Sequence, residues 1–343
     1  VVYDYAGKTI LPTFIDVQST LGMPKKAKSR SGNSSVKNPK TNASYWNESI
    51  HPELSSGLSY AYDKKESNNY LKKGFGIVSV HQENGIAQGT SSIYSLGKQD
   101  NYAHLIKGQA AAHFSFKKGD SKNSYPSSQM GSIALLRQAL YDAKWYKNEK
   151  KKDQNVSLDA LISQQNGRMI FSSNDKLEII RAHKIAKEFG LEFTYFGSGN
   201  EYQIADELAQ INSTIILPLN FPAAIDITDP YVSKEISLGQ LKHWETAPCN
   251  MYLLREKNIP IAISSFGLSP KDFWKNLNSA MSCGLQENDI LAALTTVPAK
   301  ILGIDEQFGD LEKGKNASFT VYSENPFTGN AKVLEAWILG DQN

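Results

Sequence analysis

The sequence predicts an α/β protein in which parallel strands alternate with helices, and three observations carry that expectation. From residue 168 onward, short apolar runs recur at Met169–Ser172, Phe193–Phe196, Thr214–Leu217 and Ile261–Ser264, separated by helical patterns near 174–189, 200–211 and 238–257. Short buried strands alternating with helices mark βαβ units, because a parallel pair needs a crossover long enough to hold a helix. The chain has 343 residues, 40% of them hydrophobic, enough for one large core or two domains. Its two ends carry strand patterns without helices. These observations make a (β/α)8 TIM-type barrel, with strands of a small β-sandwich at the chain ends, the leading architecture. A doubly wound open sheet is the alternative, but no G-x-G-x-x-G joins a strand to a helix, which weakens its dinucleotide-binding version.

In chain order, Gly7 to Asp16 reads as a turn running into a short buried strand. Residues 22–44 are rich in Lys, Ser, Asn, Gly and Pro without periodicity, which predicts a long exposed loop. Gly74 ends a helical pattern and Phe75–Val80 is a strand. A strong amphipathic helix is expected over 128–146, where Ile133, Leu136, Leu140 and Ala143 recur at three or four. At the far end, Asp310 and Gly314 supply turn chemistry before an alternating strand to Tyr322, and another strand follows over Val333–Leu339. The expected organisation is a sandwich strand in 1–13, a barrel in 14–305 and returning sandwich strands in 306–343.

Composition removes several functional classes. With 37 Lys and Arg against 35 Asp and Glu, the net charge of +2 argues against nucleic acid or a membrane surface as the main partner. The basic clusters at Lys25–Arg30 and Lys147–Lys152 read as solvated loops. No apolar run reaches the roughly 18 residues of a transmembrane helix. Cys249 and Cys283 stand far apart without a C-x-x-C, cannot make a thiolate metal site alone, and leave the redox compartment undetermined. The chain starts Val1-Val2-Tyr3 and reads as trimmed, so the lack of a targeting segment leaves its localisation open.

Three stretches resemble one family. Gly7-Lys-Thr-Ile-Leu-Pro-Thr-Phe-Ile-Asp16 resembles the G-x-x-x-x-P-G-x-I-D entry to the first barrel strand of the amidohydrolase superfamily. Leu294-Thr-Thr-Val-Pro-Ala-Lys-Ile-Leu-Gly303 is similar to its late helix, and Gly309-x-Leu-x-x-Gly-Lys-x-Ala-x-Phe319 to its return into the sandwich. Arg181 to Gly190 and Ala205-Asp-Glu-Leu208 resemble the imidazolonepropionase-like branch, particularly the divergent first module of large two-module bacterial members. The resemblance implies metal-dependent hydrolysis of C–N bonds, with zinc or another divalent ion at the C-terminal mouth of the barrel. The family's ligands are an H-x-H pair after the first strand, one His each on strands five and six, and an Asp on strand eight. Some members add a carboxylated Lys.

An H-x-H pair works because residues i and i+2 of a strand share a side, so two imidazoles reach one ion. Here the matching positions are Gln18 and Thr20. The strand-five position falls in Ile170-Phe171-Ser172-Ser173 without a His, Phe196 replaces the strand-six His, and Ser264-Ser265-Phe266-Gly267 holds no carboxylate. A hydrolytic zinc needs about three protein ligands plus water. The resemblance thus implies a barrel with degenerate ligand positions (Gln18, Thr20, Phe171, Phe196, Ser265, Phe266), no bound catalytic metal and no hydrolase activity of its own. Its expected partner is a catalytic amidohydrolase module in the same chain or oligomer.

Asp16, Gln18, His81, Glu83, Asn84 and His113 remain as pocket candidates, because His81 ends a strand and barrel strands end at the catalytic face. His51, His183 and His243 read as structural. No nucleophile–base arrangement is visible, since neither Ser128 nor Ser265 sits in a G-x-S-x-G elbow. Two further readings stand beside the pseudo-enzyme: an active hydrolase with an unusual site around His81, Glu83 and His113, and a small-molecule binding module reusing the emptied pocket. The aromatic residues Trp145, Tyr146, Trp244 and Trp274 are candidate core or interface anchors.

Overall fold

The computed structural model describes residues 3–24, 43–97, 105–149, 153–226, 228, 230–329 and 331–342. Most of the expected 22–44 loop, the Lys25–Arg30 cluster and residues 150–152 of the second basic run lie outside them. Fourteen strands are formed among the described residues. They are β1 (Thr9–Pro12), β2 (Phe14–Ser19), β3 (Phe75–Val80), β4 (Ala87–Thr90), β5 (Ser92–Ser95), β6 (Leu105–Lys107) and β7 (Ala112–Ser115). The second half holds β8 (Met169–Ser172), β9 (Phe193–Phe196), β10 (Ile215–Pro218), β11 (Ile261–Ser264), β12 (Phe319–Tyr322), β13 (Val333–Ile338) and β14 (Asp341–Gln342).

Strands β7 to β11 are parallel neighbours in one sheet, β2 and β3 are parallel in another, and helices cover their outer side. The two sheets meet through a stretch the sequence reading left without a strand. β4 runs antiparallel to β7 and β5 antiparallel to β3, with Ser91 between them exchanging backbone hydrogen bonds with Ala110 and Ala111, each 2.9 Å. Residues 81–86 are all that separate β3 from β4. That connection is too short for a crossover helix, so the chain must return antiparallel. On the other side β11 lies against β2. The result is a TIM-barrel-like α/β fold with one reversed strand.

The strands are apolar on both faces, as strands covered on two sides must be. Ile15, Ile77, Ile93, Ile170, Phe196, Ile216 and Ala262 form one cluster on the inner face. Ala299, Leu302, Ile304 and Phe308 from the late helix (Thr296–Leu302) and its exit join that cluster, placing the helix over the N-terminal ends of the strands. The alternate residues Phe171, Phe193, Tyr195, Leu217 and Ile263 pack outward against helices. Among these helices is Gln129–Asn148, which buries Leu136, Leu140 and Ala143 as its spacing predicts and starts at Ser128, whose hydroxyl accepts from Gly131 N.

The helical pattern at 238–257 is one region in three pieces: Leu238–Thr246, a 3-10 turn Ala247–Cys249, and Asn250–Glu256. Pro248 has no N–H to continue the ladder and breaks it. Cys249 and Cys283 are joined by a disulfide across 34 residues, tying this break to the end of the helix Pro270–Met281. Sequence separation had hidden that pairing. The chain ends meet in a small antiparallel sheet ordered β1-β12-β13-β14, where Trp337 Nε1 donates to Tyr5 OH at 2.9 Å and its ring meets Tyr3 edge-on. No described helix is long and apolar enough to cross a membrane.

Candidate functional site

The C-terminal ends of the strands bring together polar residues from distant parts of the chain. Asp16 is fully buried in β2 where β2 meets β11. Its Oδ1 accepts from Ser264 Oγ at 2.6 Å and from Gln18 N at 3.2 Å. Oδ2 accepts from Ser265 N at 3.0 Å and Ser265 Oγ at 2.6 Å. Lys73 Nζ in turn donates to Ser265 Oγ at 2.6 Å and sits 3.9 Å from the centre of the Tyr70 ring. Burial pushes the Asp16 carboxyl up, against the pull of Lys73 and the serine hydroxyls. Burial also pulls the Lys73 ammonium down to about 8, against Asp16.

These groups bridge a junction for which β2 and β11 supply no strand ladder. The Ser265 hydroxyl gives its proton to Asp16 rather than to Lys73, and all three residues are buried. The trio therefore reads as a clamp between two strands and not as a serine nucleophile with a lysine base. Sequence reading singled out Asp16 and Ser265 separately. It missed Lys73, which lies 192 residues from Ser265.

Inside the strands, Gln18 is fully buried and its Nε2 donates to Glu83 Oε1 at 3.0 Å, 3.3 Å from His81 Nε2. His81 and His113 stack face to face, ring centres 3.8 Å apart and planes within 10°. Both are buried. Burial takes His81 down to about 3, and burial plus the neighbouring His81 takes His113 well below the imidazole range. The two rings are neutral at ordinary pH. Gln18 Oε1, Ser79 Oγ, His81 Nδ1, Ser172 Oγ and both nitrogens of His113 are buried without a hydrogen-bond partner. All six atoms belong to β2, β3, β7, β8 or the residue just past β3.

Other expected positions fall elsewhere. Thr20 is exposed beyond the end of β2, whose register against β3 shifts between Asp16 and Ser19, so the i, i+2 pairing with Gln18 is not made. Phe171 points into the helix layer, its ring 4.7 Å from Phe116 and 5.6 Å from Phe193. The inward residues of that strand are Ile170 and, two further on, Ser172. Phe196 does face inward, with Phe266 packed edge-on at 6.0 Å. Asn84 turns away to accept from Asp120 N at 2.8 Å and shapes its loop.

The metal centre that the amidohydrolase resemblance implies can be tested against these residues. An imidazole nitrogen binds an ion along its lone pair, in the plane of the ring, at about 2.1 Å. Two nearly parallel rings stacked 3.8 Å apart share no such point. Gln18 brings an amide where an imidazole is needed, and no cluster of three or more His, Cys, Asp or Glu suited to a metal forms among the described residues. The donor set does not fit a hydrolytic zinc.

Parallel strands carrying polar side chains at their C-terminal ends, with a small sheet built from both chain ends, define a TIM-barrel-like architecture. In the C-terminal part, residues 244–342 match the model of the Amidohydrolase family. No curated protein sequence matches the chain. Over its whole length the fold is that of solved amidohydrolases. An amidohydrolase from Thermotoga maritima MSB8 aligns with 100% of this chain and 88% of its own, at TM-score 0.76 and 20% identity. A second amidohydrolase aligns with 100% of this chain and 88% of its own at TM-score 0.55 and 13% identity. A Xaa-Pro dipeptidase with methionine in its active site covers 100% and 90% at TM-score 0.52 and 15% identity.

Proposed function

We propose that this chain is a pseudo-enzyme: an amidohydrolase-fold barrel that holds no catalytic metal and serves as a non-catalytic module of a larger amidohydrolase of the imidazolonepropionase-like branch. The observation that carries the reading is the stacked, neutral His81–His113 pair beside Gln18, where the family assembles converging ligands. In this reading 14–305 form the barrel, 1–13 and 306–343 contribute the sandwich strands, and the partner is a catalytic amidohydrolase module in the same chain or oligomer. Elemental analysis of protein purified without chelators tests it, with less than one tenth of an equivalent of zinc, iron or manganese expected. One metal per chain whose removal lowers stability overturns it.

A second reading, a small-molecule binding module, draws support from the six buried polar atoms without partners. Each such atom costs about 1–3 kcal/mol, a penalty that a bound polar molecule removes. Thermal-shift screening with neutral amides and polyols separates the two readings. A hit whose effect disappears in His113→Leu favours binding, and a flat screen leaves the pseudo-enzyme alone.

A further inference from the structure

The end of the fold opposite the candidate site holds a cavity of about 830 Å³, within the usual range for small-molecule sites. His183 and Tyr195 are among its lining residues, with Tyr195 OH 3.4 Å from His183 Nδ1. Ile211, Pro260, Val297 and Ile301 supply apolar surface. The opening lies at the N-terminal ends of β8, β9 and β10, under the late helix Thr296–Leu302.

Charge at this opening is lopsided. Arg168 and Lys300 line it, with Glu192 as the one carboxylate among the described lining residues. No carboxylate pairs with Arg168 or Lys300 among the described residues. Lys107 stands close by, its Nζ 3.3 Å from the Leu302 carbonyl and 3.5 Å from that of Gly303. The Arg168 guanidinium lies flat on Gly303, where a Cβ would come within 2.1 Å of it. The carbonyl end of the helix accounts for Lys107. The same helix end holds Gly303 against the Arg168 guanidinium and carries Lys300 in its last turn, and both cations also line the cavity, whose walls are partly polar and partly apolar. Two cations without a carboxylate partner among the described residues, beside the apolar side chains of Val297 and Ile301, are complementary to an oxyanion carried on an apolar body.

We propose that this cavity is a second ligand site, separate from the strand-end cluster, that takes a small molecule bearing a phosphate or carboxylate on an apolar or aromatic group. The oxyanion meets Arg168 and Lys300, and the body lies against Val297 and Ile301 toward Tyr195. The proposal does not depend on whether the barrel is a pseudo-enzyme, because no residue of this site belongs to the other.

Calorimetric titration of the purified chain at fixed ionic strength with phenyl phosphate, benzoate and inorganic phosphate tests it. Saturable one-to-one binding of phenyl phosphate or benzoate is expected, weakened at least tenfold in Arg168→Glu and in Lys300→Glu. Both side chains are exposed, so these variants keep the fold, which circular dichroism checks. Filling the cavity with Ile301→Trp abolishes binding while leaving both cations in place. Binding of phenyl phosphate alone identifies a phosphate site, and of benzoate alone a carboxylate site. Binding by neither, or binding unchanged in both charge-reversal variants, overturns the proposal.

Discussion

Lys73 and Asp16 are the residues on which the junction between β2 and β11 depends, and their chemistry makes the dependence measurable. Removing one partner of a buried pair leaves an uncompensated charge and typically costs about 3–5 kcal/mol. Lys73→Met is therefore expected to destabilise the fold by roughly 3 kcal/mol, and Asp16→Asn combined with Lys73→Met to recover part of that loss, read by urea denaturation. Equal instability in the single and double variants would show that Lys73 acts through packing on Tyr70 instead. The histidine pair gives a separate signature. Its folded pKa values are depressed, to about 3 for His81, so the unfolded chain binds more protons. The sign is then fixed: this contribution is complete above the unfolded value near 6.5 and is lost as pH falls toward 3. Each histidine contributes a slope of up to about 1.4 kcal/mol per pH unit, so stability is expected to fall steadily below pH 6.5 in the wild type, with a flatter pH profile in His81→Gln/His113→Gln. Asp16 and Gln18 entered the candidate set through the family resemblance, and His81 through its place at the end of a strand. Lys73 entered by neither route, because nothing local links a lysine before β3 to a serine after β11.

Among the elements, strands were readable where they alternate with helices. The observed β8, β9 and β11 coincide with the runs Met169–Ser172, Phe193–Phe196 and Ile261–Ser264, and β10 begins one residue later than expected. Such short runs between caps and helical stripes admit few other readings. The stretch 87–95 carried no such signal: Ala87-Gln-Gly-Thr-Ser-Ser-Ile-Tyr-Ser95 is polar, with Gly89 at φ 84° lying close to the Leu54 carbonyl. Tertiary pairing on both sides makes it a strand, and propensity does not. The disulfide was equally hidden. Closing a loop of 34 residues restricts the unfolded chain by about 3–4 kcal/mol. Cys249→Ser/Cys283→Ser is expected to lower the unfolding midpoint, and a thiol assay on the denatured wild type to find no free cysteine. Two titratable thiols and an unchanged midpoint would remove the bond from this account.

For the whole molecule, the question is what covers its exposed aromatic surface. Trp145 is 61% exposed and Trp244 45% exposed, and Tyr231, Leu238 and Leu241 stand out beside Trp244 along the chain. Tyr146 and Trp274 behave differently. Tyr146 is buried in the core, and Trp274 is packed on Phe14 and Phe273. Exposed large aromatics often become interface anchors. Sedimentation velocity is expected to show association with a catalytic amidohydrolase module, weakened by Trp145→Ser or Trp244→Ser. A monomer that ignores such a module across the micromolar range would count against the proposed role. The TIM-barrel-like fold class was legible at this scale because alternating strands and helices, and the motifs at both ends of the chain, are local. Assembly was not, because it is a property of surfaces that sequence patterns do not order.

The pairing of β1 with β12 sets the order of events during synthesis. Thr9–Pro12 can find its partner only after residues 319–322 have left the ribosome, so a chain cut before Phe319 is expected to leave that strand unpaired and open to proteolysis.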